Sequence, residues 1–180
     1  SVQQTSDGGY VVAGQSNSGI SGNKASSNIG DFDFWILKLD SLGNKQWEQS
    51  YGGSAGDYVF DFQQTSDGGY IAAGYSGSDV SGNKTSSKLG IADGWIVKLD
   101  GNGAKMWERT FGGTSSQFIY AIRQSPEGGY ILVGGSNSSP SGNKTSPNFG
   151  DYDFWALQLD SSGNKLWEQS YGGSGEELPG

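Results

Sequence analysis

The sequence predicts an all-β protein, a β-propeller array of three four-stranded antiparallel blades. Three observations lead to this fold class: a repeat of 60 residues, alternation of large apolar and polar side chains inside each repeat, and turn residues between the alternating segments. The clearest repeated segment, DFWILKLDSLGNKQWEQSYGG, begins at position 33 and returns in altered form at positions 93 and 153. The repeats divide the 180-residue chain into 1–60, 61–120 and 121–180, which we expect to form one array.

The second repeat shows the predicted order of elements most completely. Alternating side chains predict strands at 58–64, 70–75, 94–99 and 105–111. Glycine-containing turns join the first strand to the second and the third to the fourth, whereas a polar loop of 17 residues joins the second to the third. The three long loops cover 16–32, 76–92 and 136–152. Four antiparallel strands joined by hairpin, long loop and hairpin are typical of a propeller blade.

Composition excludes several kinds of chemistry. The chain has no histidine and no cysteine, which removes imidazole bases, thiol nucleophiles, disulfides and thiolate zinc sites. Nineteen acidic and eleven basic residues give a net charge of −8, so we expect no nucleic-acid partner. No apolar segment reaches the length of a membrane span, and we expect no membrane insertion. The chain begins on Ser1 without a signal peptide, and we therefore expect a piece processed or excised from a longer protein.

The long loops are the predicted ligand-binding surface, since longer and less constrained loops usually carry binding in repeat folds. Each contains Ser-Gly-Asn-Lys, in which an amide beside a cation suits hydroxyl-rich or carboxylate ligands. Aromatic rings in the loops are further candidates, because they can stack on sugars. The candidate ligand-binding residues are Asn23, Lys24, Phe32, Asn83, Lys84, Asn143, Lys144, Phe149 and Tyr152. The alternative is that the asparagines only hydrogen-bond the backbone of their own loop.

An Asp-x-Asp pair precedes the third strand in the first and third repeats. Asp31 with Asp33, and Asp151 with Asp153, could share a hard cation such as Ca²⁺. The second repeat has Ile91 in place of the first aspartate, and a calcium site needs about six oxygens. The competing interpretation is that these carboxylates cap the loop. Apart from this calcium ion, no cofactor is expected.

Six tryptophans occupy two fixed strand positions in the repeats. They are Trp35, Trp47, Trp95, Trp107, Trp155 and Trp167. Large aromatic residues at constant strand positions favour packing between blades, to which each contributes a large buried area. The alternative role, stacking on sugar rings, is better suited to the aromatic residues of the loops.

The segments KLDSLGNKQWE, KLDGNGAKMWE and QLDSSGNKLWE resemble the blade motif of the quinoprotein (PQQ-like) propellers, in which an aspartate-turn-glycine hairpin joins the third and fourth strands and a tryptophan follows. In that family the tryptophan docks against the neighbouring blade, which implies this role for Trp47, Trp107 and Trp167. The turn is one residue shorter here and lacks the family's threonine. Nothing matches the family's catalytic aspartate, calcium ligands or paired cysteines, so its redox chemistry is not implied.

The whole repeat, with TSDGGY, DFW, LDxxGN and YGG, is similar to tandem repeats of long secreted or surface proteins of bacteria and archaea. This similarity covers the full chain and implies an extracellular or cell-surface location. It carries no established activity.

Three classes of function compete. The first is a non-enzymatic extracellular module that binds a glycan or a protein through the long-loop face, and the second is a purely structural scaffold. The third is an enzyme with a site over a central channel, which we do not expect, because the chain offers the same residues three times and no histidine. Propellers typically have about four to eight blades, so three blades need a complement. We expect either half of a six-bladed ring completed by a second chain, or part of a longer array.

Overall fold

The computed structural model describes residues 1–178 and confirms the predicted fold class; residues 179 and 180 of the third repeat lie outside the described part. It contains three four-stranded antiparallel sheets, each with its strands in sequence order, and residues 1–178 contain no helix. We call the sheets blades 1, 2 and 3. The three blades do not close into a ring. Within residues 1–178, no helix is long and apolar enough to cross a membrane.

The strands lie where the alternation predicts them. Blade 1 contains β1 (Val2–Gln4), β2 (Tyr10–Ser16), β3 (Asp33–Leu39) and β4 (Lys45–Tyr51). Blade 2 contains β5 (Asp57–Gln64), β6 (Tyr70–Ser76), β7 (Asp93–Leu99) and β8 (Lys105–Phe111). Blade 3 contains β9 (Gln117–Gln124), β10 (Tyr130–Ser136), β11 (Asp153–Leu159) and β12 (Lys165–Tyr171). The predicted strands of the second repeat differ from β5–β8 by no more than one residue at any end.

The hairpin turns explain the LDxxGN motif. In blade 1 the Asp40 carboxylate accepts hydrogen bonds from the backbone N–H groups of Leu42 (2.9 Å) and Asn44 (2.8 Å). Gly43 between them has φ +84°, a left-handed conformation that favours glycine. The same pair of bonds recurs at Asp100 and Asp160. The turn is therefore held by one aspartate and one glycine in every blade.

A β-bulge interrupts the first strand in blades 2 and 3. The register between β5 and β6 shifts between Val59 and Asp61, so Phe60 has no residue opposite it. Gly74 faces the bulge on β6, where a Cβ atom would collide with the backbone of β5. Because the extra residue leaves the ladder, Phe60 is directed away from the blade core and is exposed.

The apolar core lies between the blades. Trp95 of blade 2 packs on Phe34 of blade 1, with ring centroids 4.7 Å apart, and both side chains are fully buried. Trp47 of blade 1 reaches Tyr70 of blade 2 at 5.7 Å, and blades 2 and 3 form a second core cluster of the same kind. The contacts between neighbouring blades are concentrated at their first and second strands, so the sheets fan out from a common inner edge. Each repeat therefore buries its apolar face only against its neighbours.

The six tryptophans divide by position. Trp95 and Trp155 are fully buried against the preceding blade, while Trp47 and Trp107 are half-buried against the following one. Trp35, which has no blade before it, is half-buried, and Trp167, which has none after it, is exposed.

Candidate functional site

The loop lysines point into the protein. Lys24, Lys84 and Lys144 are buried, and each ammonium group donates to a carbonyl of its own loop, at Ser26 (2.6 Å), Ser86 and Ser146 (2.6 Å) respectively. The Lys24 ammonium also lies 5.8 Å from the centre of the Trp35 ring. Burial lowers the pKa of Lys84 and of Lys144. These cations are thus occupied by the loops that carry them.

The loop asparagines bind the preceding blade. The Asn83 side chain donates to the carbonyl of Ser50 (2.8 Å) and accepts from the N–H of Gly52 (2.9 Å), both in blade 1. Asn143 makes the same two bonds to Thr110 and Gly112 of blade 2. The expectation that these amides bond their own loop is therefore wrong for Asn83 and Asn143, because the loop lies across the interface between blades. Asn23 is exposed on the open side of blade 1.

A glutamate that the sequence analysis did not single out fastens each long loop. In blade 2 the Glu108 carboxylate accepts from the backbone N–H groups of Thr85 and Ser86, both at 2.7 Å, and pairs with Lys105. Glu48 and Glu168 hold the other two loops in the same way. Burial by itself would raise the pKa of Glu108, but the hydrogen bonds from Lys105, Ser86 and the loop backbone keep this pKa below its ordinary value. The signal in the sequence was the invariant Trp-Glu pair of the three repeats.

The two aspartates of each Asp-x-Asp pair are in different surroundings. Asp33 and Asp153 are fully buried and accept from loop backbone N–H groups, at Ile29 and Phe149 respectively, both at 2.7 Å. Asp31 and Asp151 are exposed. Burial raises the pKa of Asp33. These contacts are those of loop caps.

The capping geometry extends to the second blade, where Asp93 accepts from Leu89 at 2.7 Å. Within residues 1–178, no group of three or more histidine, cysteine, aspartate or glutamate residues could hold a metal ion. The expectation of calcium gains no support from this arrangement.

A cluster of aromatic rings lies at the long-loop end of the inner strands. It consists of Phe32, Tyr58, Phe60, Tyr75, Phe118, Tyr120 and Tyr152, and we call it the aromatic cluster. Phe60 and Tyr120, the two bulge residues, stack across blades 2 and 3 at 5.2 Å with their planes 13° apart. Tyr58 and Tyr75 stack at 4.9 Å. Consecutive rings are therefore close enough to form one continuous aromatic surface.

The aromatic cluster is partly open to solvent. Phe60 is exposed and the other six rings are half-buried. Burial raises the pKa of Tyr75 and of Tyr120, so both hydroxyls are neutral at physiological pH and able to donate and accept hydrogen bonds. The cluster thus combines apolar ring faces with polar hydroxyls.

Two of the predicted ligand-binding aromatics belong to this cluster. Phe32 contacts Tyr58 at 5.4 Å, and Tyr152 contacts Phe118 at 5.8 Å, so these loop residues form its two ends. Phe149 is exposed on the third long loop, outside the cluster. The five strand aromatics were missed, because alternation alone does not show the bulges that carry two of them. Aromatic residues at positions i and i+2 in both β5 and β9 were the available signal.

The inner edge also carries a polar cavity of about 240 Å³, lined by residues of all three first strands. Its two charged side chains are paired with each other, because the Arg123 guanidinium donates to the Asp61 carboxylate. The same carboxylate accepts from the Ile122 N–H at 2.9 Å. The pair therefore joins blade 2 to blade 3.

The geometry at the long-loop end thus separates two kinds of residue. The predicted amides and cations of loops 2 and 3 hold blades and loops together, whereas the aromatic cluster remains accessible. No protein-family model matches this chain, and no curated protein matches it at a significant level.

Proposed function

We propose that the chain is a non-enzymatic extracellular binding module that takes a glycan on the aromatic cluster. The observation that supports this function is seven neighbouring rings, from all three blades, that keep part of their surface open at the long-loop end. Large contiguous aromatic surfaces exposed on a folded domain usually mark an interaction site.

The chemistry of the cluster favours a neutral sugar. Ring faces such as those of Phe60 and Tyr120 stack on the apolar C–H faces of pyranose rings, while the hydroxyls of Tyr58 and Tyr75 can bond sugar hydroxyls. The net charge of −8 works against an acidic polysaccharide. A protein ligand with exposed apolar side chains is the second candidate for the same surface.

Two considerations support a binding role without catalysis. The buried carboxylates, such as Asp33 and Glu108, accept hydrogen bonds from loop backbone and hold the loops. The cluster itself supplies no nucleophile or general base beyond neutral tyrosine. The extracellular location is proposed from the similarity of the repeats to those of secreted and surface proteins.

The test is binding of a panel of neutral and acidic oligosaccharides, measured by intrinsic fluorescence and calorimetry. Saturable binding of a neutral glycan is expected, and Phe60→Ala and Tyr120→Ala should each weaken it by about two- to tenfold, since stacking of an aromatic ring is worth about 0.5–1.5 kcal/mol. Phe149→Ala is the matched control, an exposed aromatic outside the cluster, and should bind as the parent does. Equal loss in all three variants would contradict this location for the site.

A structural scaffold is the alternative, and a specific observation favours it. The residues that were expected to meet a ligand, Asn83, Lys84, Asn143 and Lys144, all bond the protein itself. A folded chain that shows no saturable binding to any sugar or protein of the panel would support the scaffold over the binding module.

A further inference from the structure

The two outer faces of the array expose residues that are buried at the internal interfaces. On blade 3, Tyr171 is 58% exposed and Phe154 is 38% exposed, whereas their blade 1 counterparts Tyr51 and Phe34 are 4% and 0% exposed. On blade 1, Tyr10 is 39% exposed, and its counterparts in blades 2 and 3 are buried. The open faces thus retain the apolar residues that an internal interface uses.

The internal interfaces define what each exposed residue can contact. The Trp47 indole lies against Gly103 of the next blade, and the Tyr51 hydroxyl donates to the Gly103 carbonyl. Trp107 lies against Gly163 in the same way. Gly43, the blade 1 counterpart, has no atom of another residue within 4 Å of the position that a Cβ would take. Blade 1 therefore has an unoccupied indole-binding site at Gly43. Blade 3 carries an indole, that of Trp167, which lies against no other blade and is 41% exposed.

Polar groups repeat the same complementarity. Asn23 has the sequence position of Asn83, which bonds Ser50 and Gly52 of the preceding blade, and the corresponding backbone groups of blade 3 belong to Ser170 and Gly172. The exposed Asn23 amide thus matches a carbonyl and an N–H on the opposite open face.

The last described residues already follow the pattern of a further blade. The Glu177 N–H donates to the Tyr152 carbonyl at 2.6 Å, and its carboxylate accepts from the Gly173 N–H at 3.0 Å. Asp57 makes the equivalent bonds to Phe32 and Gly53 at the internal interface. Glu177 thus takes the place that Asp57 has at the internal interface. The open face of blade 3 is therefore arranged as an internal interface is.

We propose that the open face of blade 3 docks on the open face of blade 1 in a second copy of this chain. In this dimer the Trp167 indole of one copy lies against Gly43 of the other copy. Tyr10 and Trp35 become buried, and the Asn23 amide bonds the backbone groups of Ser170 and Gly172. Each copy offers one face of each kind, so two copies form two identical interfaces and a closed ring of six blades. This number lies within the range of about four to eight that propellers use.

Two hydrogen bonds of the internal interfaces have no counterpart at the new one. At blades 1 and 2 the side-chain Oε1 of Gln3 accepts from the Gln64 N–H at 2.7 Å, and the Oε1 of Gln63 does the same for Gln124 at blades 2 and 3. Arg123 stands at the corresponding place on blade 3 and offers no acceptor. The neighbouring bond is lost as well: the Ser6 N–H donates to the Gln64 side chain at 2.9 Å, but Pro126, the blade 3 counterpart of Ser6, has no N–H to donate to Gln4.

The first test is the mass of the particle in solution, measured by light scattering after gel filtration over a range of concentrations. Twice the mass of one chain is expected. Trp167→Ala should give a folded single chain, because this indole contacts no following blade. Leu166→Ser is the matched control on the same strand, since its counterpart Met106 stays exposed beside blade 3, and it should remain dimeric.

A parent chain that stays monomeric, or a dimer that Trp167→Ala leaves intact, would overturn the proposal. Oligomers that keep growing with concentration would also overturn it, because the ring would not be closed. Circular dichroism of each variant separates loss of assembly from loss of fold.

The second test joins two specific residues. Arg109 donates to the Ser162 carbonyl at 2.8 Å between blades 2 and 3, and the counterparts at the open faces are Gln169 and Leu42. The chain has no cysteine, so Leu42→Cys and Gln169→Cys each carry one thiol. A short bis-maleimide should link a mixture of the two variants and link neither variant alone. Linkage confined to one variant alone would indicate a different pairing and reject the proposed one.

Discussion

At the residue scale, Gly103 meets two requirements in one position. Its φ of +80° lies in the left-handed region, and a Cβ atom would be 2.9 Å from the Trp47 ring of the neighbouring blade. The turn alone would explain a glycine here, as it does at Gly68, which has the same φ and open space around it. The contact with the indole adds a steric requirement that belongs to the interface between blades.

Gly103→Ala is therefore expected to cost more than Gly68→Ala. The left-handed conformation costs about 1–2 kcal/mol in both variants, and displacement of the Trp47 ring adds about 1–3 kcal/mol in the first alone. The free energy of unfolding, measured by chemical denaturation, should thus fall by about 2–5 kcal/mol for Gly103→Ala. Equal losses of unfolding free energy in the two variants would mean that the Trp47 ring moves away from the added methyl group at no energetic cost.

At the element scale, the first hairpin of blades 1 and 2 depends on a charged contact. Asp67 accepts from Thr65 (2.6 Å) and from the Gly69 N–H (2.9 Å), and it pairs with the buried Lys98 ammonium at 2.9 Å. Although burial opposes the shift, hydrogen bonds from Thr65 and Lys98 lower the pKa of Asp67 from 3.8 to about 2. The folded hairpin therefore favours the ionised carboxylate.

This shift predicts a loss of stability in acid. Because the folded pKa of Asp67 is depressed, its contribution is present above pH 3.8, the unfolded value, and is lost as pH falls to about 2. The melting temperature of Asp67→Asn should lie below that of the parent at pH 7, and the gap should narrow between pH 4 and pH 2. Asp151→Asn, at an exposed loop position, is the control and should melt close to the parent at pH 7.

The buried aspartates act in the opposite direction. Burial raises the pKa of Asp57 and of Asp93, so their protonated forms are favoured in the folded chain and their contribution is lost as pH rises. These two aspartates therefore offset part of the stability that the parent loses in acid. Both the parent and the Asp67→Asn variant contain them, so the difference between the two proteins reports the contribution of the hairpin alone. A difference in melting temperature between the parent and Asp67→Asn that widens as pH falls would contradict the lowered pKa of Asp67.

At the scale of the whole molecule, stability comes from the two interfaces between blades. Trp95 is fully buried between blades 1 and 2, where it joins one core cluster with Phe34, Val11 and Tyr70. Each blade has only four strands and no core inside the sheet itself. The array is therefore expected to unfold as coupled neighbours rather than as three independent units.

Trp95→Ala should weaken the chain severely. Removal of a fully buried tryptophan costs about 3–5 kcal/mol, and the resulting cavity should uncouple blade 1 from blades 2 and 3. Denaturation followed by fluorescence should show a lower midpoint and a broader transition. Ile91→Ser, an exposed apolar residue of the second loop, should change the free energy of unfolding by no more than about 0.5 kcal/mol. A sharp two-state transition for Trp95→Ala would indicate that the blades stay coupled without this indole and would contradict its role in coupling them.

The local pattern of the sequence was sufficient for the blades. The 60-residue period, the side-chain alternation and the LDxxGN turns placed β5–β8 to within a residue, because strand and turn preferences depend on neighbours along the chain. The repeat also identified the tryptophan positions, since a side chain at the same strand position meets the same surroundings in each blade.

Only the tertiary structure decided which of those residues are accessible. Lys84 and Asn83 look like ligand groups in a polar loop, but the loop folds across the blade interface and uses both in its own bonds. Phe60 looks like a core residue, but a bulge turns it outward beside Tyr120. By itself the sequence determined the strands, the turns and their repetition, which follow from contacts close in the chain. The aromatic cluster and the two complementary open faces required the packing of residues about 60 positions apart, and no local pattern specifies which side of such a contact remains free.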